Sequence, residues 1–219
     1  MKQDIINSFN RIALLEDKWD HNQHYEKLLL KEIKNGDGVA LDLGCGTGEF
    51  TQKLSRKVKR VYGIDIAPIM IKEAEKRHKT NNITYSVKDF DSLNEDVKYD
   101  YIISIATFHH LNLDTVLPKI KRLLNKNGVL IVLDLYERKG LIDRILDCIA
   151  VPMDLILKRI KIGKIKVNTE EIDAWEEHSH IDNYMTYNKL KKVYNKYLSK
   201  EIKVRRLLFW RYLMVYRQK

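Results

Sequence analysis

Cysteine is scarce in this chain of 219 residues: Cys45 and Cys148 build no disulfide framework and have no metal-ligand spacing, so a reducing compartment is expected. Long apolar runs are missing as well. No stretch approaches the ~18 apolar residues that a membrane-spanning helix needs, and Met1-Lys2-Gln3-Asp4-Ile5 lacks the sustained apolar segment of a secretory leader. A cytoplasmic location is expected. Negative charge is in the minority, with 30 acidic against 40 basic groups and a net charge of +10. The excess is uneven: residues 136–219 carry 19 basic and 11 acidic groups, whereas residues 1–35 carry six of each. A basic C-terminal third can meet nucleic acid, an anionic membrane surface or an acidic substrate, or serve only to keep the protein soluble. Apolar residues make up 44% of the chain, enough for one sizeable core with a cap or insertion.

The strongest local pattern is Val39-Ala-Leu-Asp-Leu-Gly-Cys-Gly-Thr-Gly-Glu-Phe50. An apolar run ending at Leu43 reads as a buried strand, and Gly44, Gly46 and Gly48 follow at once as a tight turn. Glycine leaves no Cβ in the way, so a ligand can lie against the turn while backbone amides face it. What the turn lacks narrows the ligand. Glu49 stands where the dinucleotide fingerprint G-x-G-x-x-G needs its third glycine, and Asp42 adds a negative charge unfavourable to a pyrophosphate. A second apolar run, Val61-Tyr62-Gly63-Ile64, ends at Asp65, whose carboxylate can accept from both hydroxyls of a ribose. A nucleoside without phosphates is the expected ligand.

At these residues the chain resembles the class I S-adenosylmethionine-dependent methyltransferases. Residues 41–50 resemble that family's first motif, Asp65-Ile66-Ala67-Pro68 its ribose-binding motif, Lys88-Asp89-Phe90 its adenine-binding motif, and Leu124-Asn125-Lys126-Asn127-Gly128-Val129-Leu130 its fifth-strand signature. The resemblance covers roughly residues 36–135. It implies S-adenosylmethionine as cofactor, with S-adenosylhomocysteine as product, held by Asp42, Gly44, Cys45, Gly46, Asp65, Ile66, Asp89, Phe90 and Ile105, with Trp19 closing over it. Ile66 and Phe90 would sandwich the purine. Taken alone, Asp89 reads equally well as a helix N-cap.

Alternating strand and helix signals predict an α/β fold, a Rossmann-like, mostly parallel sheet with right-handed crossovers. The strands are expected at Val39–Leu43, Val58–Ile64, Ile83–Val87, Tyr99–Ile105 and Val129–Asp134, with helices at Glu49–Lys57, Pro68–Lys79 and Thr115–Leu124, the last ended by Gly128. A helix at Tyr187–Leu198 capped by Thr186 and a hairpin of Glu201–Leu207 and Trp210–Arg217 complete the pattern. In the resembled family such a hairpin completes a seven-stranded sheet with one antiparallel strand. Gly44, Asp65, Asp89, Ile105 and Asp134 fall at the carboxyl ends of strands and should converge on one crevice. The chain divides into an N-terminal helical cap (1–35), the cofactor-binding core (36–135), a helical lid or substrate insertion (136–186) and the last helix with the terminal hairpin (187–219).

The acceptor side is written less clearly. Phe108-His109-His110-Leu111 follows the fourth strand, and a histidine there can serve as base because its pKa lies near neutrality. His110 and His109 are therefore candidate site residues. His21 and Tyr25 join them if the N-terminal segment folds over the pocket; otherwise His21 is a solvated turn residue and Tyr25 a packing one. The Asn/Asp-Pro-Pro-Tyr/Phe motif of exocyclic-amine nucleobase methylation is absent, and neither cysteine is placed to attack a cytosine ring. Residues 137–170 form an apolar helical segment interrupted by Pro152 and flanked by Lys158-Arg159, which reads as a lid on its own domain or as a membrane-surface element. His178 and His180 alone make a weak case for a metal, and none is expected. Arg205, Arg206 and Arg211 read as a solvated strand edge or a phosphate site. The expected activity is methyl transfer to a small organic molecule. An RNA-modifying methyltransferase and a non-catalytic S-adenosylmethionine-binding module are the alternatives.

Overall fold

The apolar runs read as strands pair into one sheet. The computed structural model describes residues 2–15, 21–162, 169–198 and 202–219, so Trp19 lies outside the described residues. The strands are β1 (Gly36–Leu43), β2 (Val58–Asp65), β3 (Ile83–Val87), β4 (Tyr99–Ile105), β5 (Leu124–Leu135), β6 (Lys203–Arg206) and β7 (Arg211–Arg217). The helices are α1 (Lys2–Ile12), α2 (Glu26–Lys31), α3 (Glu49–Ser55), α4 (Pro68–His78), α5 (Leu113–Leu123), α6 (Leu141–Ile162), α7 (Thr169–Ser179) and α8 (Tyr187–Tyr197). The sheet order is β3-β2-β1-β4-β5-β7-β6, with β1 to β5 parallel and β7 antiparallel to both of its neighbours. This is the seven-stranded Rossmann-like architecture with a terminal antiparallel hairpin. The order reverses between β1 and β4, which opens a crevice beyond their carboxyl ends.

Period-2 alternation in the central strands fills two cores. Along β5, Leu130 and Val132 point into one with Leu117 and Ile120 of α5 and Tyr194 of α8, while Val129, Ile131 and Leu133 point into the other with Leu29 of α2 and Phe50 and Leu54 of α3. Pro68 occupies the first turn of α4, and Thr186 caps α8 by accepting from the Lys189 amide.

Three expectations are corrected. Gly128 does not terminate a helix: α5 ends at Leu123 and residues 124–128 already belong to β5 at a register shift. Asn127 is the residue with positive φ, and Gly128 is small because a Cβ would lie 2.8 Å from the Asn125 carbonyl oxygen. Pro152 does not interrupt its segment, because α6 runs through it from Leu141 to Ile162. Of the hairpin arginines only Arg205 lies exposed on the edge strand; Arg206 and Arg211 do not. Arg211 is buried and donates to Asn22 Oδ1 and the Phe209 carbonyl, and Arg206 donates to Asp143 Oδ1 at 3.0 Å and lies over the Tyr187 ring.

Candidate active site

The glycine turn that follows β1 takes left-handed dihedrals at Gly44 and Gly46, with φ of +74° and +52°. A Cβ at Gly44 would lie 2.1 Å from Thr107 Oγ1, so the loop after β4 closes directly on the turn. At Gly46 the nearest atom would be Met70 Sδ at 3.9 Å, which leaves the backbone open to a ligand. Beside the turn, Asp65 Oδ2 accepts from the Gly46 amide at 3.0 Å and Oδ1 from the Ala67 amide at 2.9 Å. Burial pushes this carboxyl up, and the amides of Ala67, Gly46 and Ile66 draw it back. Each oxygen is thus oriented with further lone-pair capacity for one of two vicinal hydroxyls.

These groups line a cavity of about 330 Å³ that also takes in Leu43, Ile64, Ile66, Asp89, Phe90 and Ile105. The space is of ligand size. α1 roofs it with Lys2, Ile5 and Phe9, and the loop after β4 closes its far end with Ala106, Thr107 and His110. Asp89 accepts from the Asp91 amide as the cap of a short 3₁₀ turn and also pairs with Lys2, so the N-cap reading and a place in the crevice hold together. Phe90 is buried at the wall. Ala106, a non-glycine residue at φ +50°, holds the loop in a left-handed conformation beside the turn.

A second lobe shares Gly44, Gly46, Met70 and Ile105 with the first and adds Asp42, Cys45, Asn22, Glu26 and Trp175. Asp42 and Cys45 therefore sit on the reverse side of the turn. Asp42 is 1% exposed and accepts from Thr51 Oγ1 at 2.6 Å, which ties β1 to α3. Burial, only partly offset by that hydrogen bond, pushes its carboxyl up to about 7. The Cys45 thiol is pushed up by burial and by Asp42 and Asp65.

Beyond β4, His109 and His110 occupy a 3₁₀ turn. Asp134, at the end of β5, accepts from the His109 amide at 2.8 Å and faces His109 Nδ1 at 2.7 Å. Burial opposes charge on this ring, but the Asp134 carboxylate and then Asp182 outweigh it, and its pKa is pushed up to about 9. For His110, burial and the neighbouring His109 act together and push the pKa down to about 4. Phe9 meets the His110 ring edge-on.

His21 and Tyr25 do not reach this crevice. His21 Nε2 pairs with Asp154 Oδ1 at 2.7 Å and the ring packs on Phe209, while the Tyr25 hydroxyl donates to the Leu208 carbonyl. Their hydrogen-bonding groups are committed to α6 and to the turn between β6 and β7. No described residue of α6 lines either lobe; the cover comes from α1 and from Trp175 of α7. The sequence reading named an N-terminal cap but looked for it at Trp19, His21 and Tyr25, not at Lys2, Ile5 and Phe9 of α1 or Trp175 of α7. It also missed that His178 and Asp182 close on the His109–His110 pair. The polar aromatic run after Trp175 was visible, but its partners lie some seventy residues back in the chain.

A family described as a methyltransferase domain matches residues 40–128. The malonyl-[acyl-carrier protein] O-methyltransferase of Bacillus cereus is 38% identical over 129 residues, 57% of this chain and 47% of that protein. The match thus spans about half of that relative's length. An uncharacterised protein of Methanocaldococcus jannaschii is 31% identical over 191 residues, covering 80% of this chain and 73% of that one. Among solved structures, the N-methyltransferase NodS of Bradyrhizobium japonicum with S-adenosylhomocysteine superposes with a TM-score of 0.64 at 16% identity, over 98% of each chain. The chain belongs to the class I S-adenosylmethionine-dependent methyltransferases. S-adenosylmethionine is the cofactor that goes with that membership, and the open backbone at Gly46 with the two oriented oxygens of Asp65 fits it. Among the described residues no helix is long and apolar enough to cross a membrane.

Proposed function

We propose that this chain transfers the methyl group of S-adenosylmethionine to a small organic molecule. The observation that carries this reading is the roof: α1 lays Lys2, Ile5 and Phe9 across the crevice, so an acceptor must fit beneath a helix. A folded RNA does not. A basic groove lies elsewhere, lined by Lys121, Arg122, Lys203, Arg205 and Arg217 beside Asn127 at the amino end of β5, the edge of the sheet away from the crevice. The relatives' names, an acyl-carrier O-methyltransferase and an N-methyltransferase, agree with a small acceptor group.

When bound, the cofactor supplies a methyl group activated on a sulfonium. Displacement at that carbon asks the protein chiefly for alignment. In this reading Gly44 and Gly46 present backbone, Asp65 takes the ribose hydroxyls, and Ile66 with Phe90 flanks the base. Asp89, now paired with Lys2, would be the acceptor for the adenine amine. Thr107 and His110 form the acceptor wall, and Asp134 fixes His109 behind it. Asp42 and Cys45 shape the turn from behind.

Titration calorimetry with S-adenosylmethionine and S-adenosylhomocysteine tests the cofactor half. Asp65→Ala should weaken binding about 10- to 100-fold, the worth of hydrogen bonds to a charged group at about 1.5–3 kcal/mol. Transfer of a labelled methyl group into cell extract tests the acceptor half. Label in the small-molecule fraction is expected; label confined to RNA would establish the RNA-modifying reading instead. Binding without label in any fraction would leave a non-catalytic sensor.

A further inference from the structure

Behind the acceptor wall four side chains from distant parts of the chain meet. His109 and His110 come from the turn after β4, His178 from the last turn of α7, and Asp182 from four residues further on. One ligand atom from each lies within 4.8 Å of all the others. Asp182 Oδ1 is 3.5 Å from His109 Nε2, 3.6 Å from His110 Nε2 and 3.4 Å from His178 Nε2. All four side chains are at most 7% exposed.

Three of the four groups are already engaged at their other polar atom. His109 Nδ1 faces Asp134 Oδ1 at 2.7 Å, His178 Nδ1 faces Ser8 Oγ at 2.9 Å, and the other oxygen of Asp182 accepts from the Tyr184 hydroxyl. A carboxylate or hydroxyl behind an imidazole is the arrangement that turns its far nitrogen toward a metal and raises its basicity. What remains in the middle is unsatisfied. His110 Nε2 and Asp182 Oδ1 are buried with no hydrogen-bond partner, a cost of about 1–3 kcal/mol for each such atom. Their separation is too long for a hydrogen bond.

The same separation suits a shared ion. With bonds of about 2.0–2.1 Å to nitrogen and oxygen, a tetrahedral ion holds its ligands about 3.3–3.4 Å apart. The three edges from Asp182 Oδ1 to the imidazoles, 3.4–3.6 Å, need only a slight contraction to match, and the imidazole nitrogens, all within 4.8 Å of one another, close further around the ion when it binds. Three imidazoles and one carboxylate suit zinc and its neighbours in the transition series, whereas magnesium and calcium prefer oxygen donors throughout. We propose that His109, His110, His178 and Asp182 bind one divalent transition-metal ion of the zinc class through three Nε2 atoms and Oδ1.

Four protein ligands make the site closed, and its consequence is mechanical. The ion joins α7 to the loop after β4. Through Ser8, and through Phe9 packed 4.4 Å from the His178 ring centroid, it also fastens α1, which roofs the crevice. The inference does not depend on what the acceptor is.

The test uses the full-length protein, stripped with a chelator and titrated with Co²⁺ and then Zn²⁺ alone. One equivalent of Co²⁺ should give the intense visible bands of a tetrahedral complex, and one equivalent of Zn²⁺ should abolish them. His178→Ala and Asp182→Asn should each weaken Co²⁺ binding at least about 100-fold, as expected when one of four ligands is lost, given 10- to 100-fold for a supporting group alone. His180→Ala, an exposed neighbour outside the cluster, should leave the bands unchanged. Pale octahedral Co²⁺, no binding, or binding undiminished in Asp182→Asn would overturn the proposal. If His178→Ala loses its far-ultraviolet circular dichroism, the near-isosteric Asp182→Asn decides. The readout is independent of methyl transfer, so failure here and failure of the proposed activity are separable.

Discussion

α5 and α6 are both amphipathic helices with a proline inside, and they meet the protein with opposite faces. α5 turns Leu113, Val116, Leu117, Ile120 and Leu123 into the core. α6 turns inward Asp143, Ala150 and Asp154, all buried, together with half-buried Asp147, and leaves Leu141, Ile142, Ile145, Ile149, Ile156 and Ile160 exposed. What each helix lands on makes the difference. α5 packs against apolar side chains of β4 and β5. α6 lands on donors: the Tyr136 hydroxyl and Arg206 reach Asp143, the Trp210 indole reaches Asp147, and His21 reaches Asp154. An apolar stripe shows that a helix has two faces, and the surface beneath it selects which one is buried.

The largest expected effect separates two kinds of buried carboxylate. Asp42, in the apolar core with a hydroxyl as its partner, has a folded pKa of about 7 against 3.8 for the free side chain. A raised folded pKa means that its contribution is fully present below the unfolded value and is lost as pH rises through the folded one. Urea unfolding of Asp42→Asn should therefore gain on the wild type by about 4 kcal/mol between roughly pH 4 and pH 7, at 1.36 kcal/mol per pH unit. Asp154 behaves in the opposite way. Burial raises its pKa, but Lys158 and His21 more than reverse that and hold the carboxyl low. Its stabilisation is present above the unfolded value and lost as pH falls through the folded one, so the deficit of Asp154→Asn at neutral pH should close on acidification. The same direction of pH dependence in both variants would break the distinction.

Next in size is the contrast between the apolar faces themselves. Leu117 is 0% exposed and Ile149 is 48% exposed. Leu117→Ala should cost about 3 kcal/mol through lost burial and a residual cavity, and Ile149→Ala less than about 0.5 kcal/mol. Urea midpoints at constant m-value measure both. Equal losses would show that the α6 face is packed in solution.

The same distinction explains what the sequence could and could not disclose. Strands β1 to β5 were legible within a few residues because buried parallel strands read as continuous apolar runs, and Gly44, Gly46 and Asp65 because their spacing follows the chain itself. His21 and Tyr25 were misplaced because their partners, Asp154 and the Leu208 carbonyl, come from elements more than a hundred residues away. The cluster around Asp182 was hidden for the same reason. Two of its histidines were noticed with the active-site loop and one with the lid, and only the packing of α7 on α1 and of both on the loop after β4 brings them together. Arg206 and Arg211 were read as edge charges because a strand pattern does not reveal that α6 and Asn22 cover that edge.

A smaller effect is expected from a double-mutant cycle on Asp143 and Arg206. Asp143 is 3% exposed and takes hydrogen bonds from Tyr136, the Lys139 amide and Arg206. Asp143→Ala alone leaves those donors unmatched and should cost more than Arg206→Ala, whose partner keeps two other bonds. The coupling between the two should be about 1–2 kcal/mol, within the range for contacting pairs. A coupling near zero would mean that the carboxylates accompany the docking of α6 without holding it.

The smallest effect bears on the outward face itself. Ile145 and Ile156 are 54% and 59% exposed, so Ile145→Lys combined with Ile156→Lys removes apolar surface that already meets solvent. Exposed substitutions away from packing, caps and charges stay within about 0.5 kcal/mol. The double variant should therefore unfold at nearly the wild-type urea midpoint and should be more soluble, since a contiguous apolar stripe of this length favours self-association. A loss of about 2 kcal/mol that grew with protein concentration would show that the face is covered by another copy in the native state, and α6 would then resemble α5 after all, with its apolar side buried between chains instead of within one.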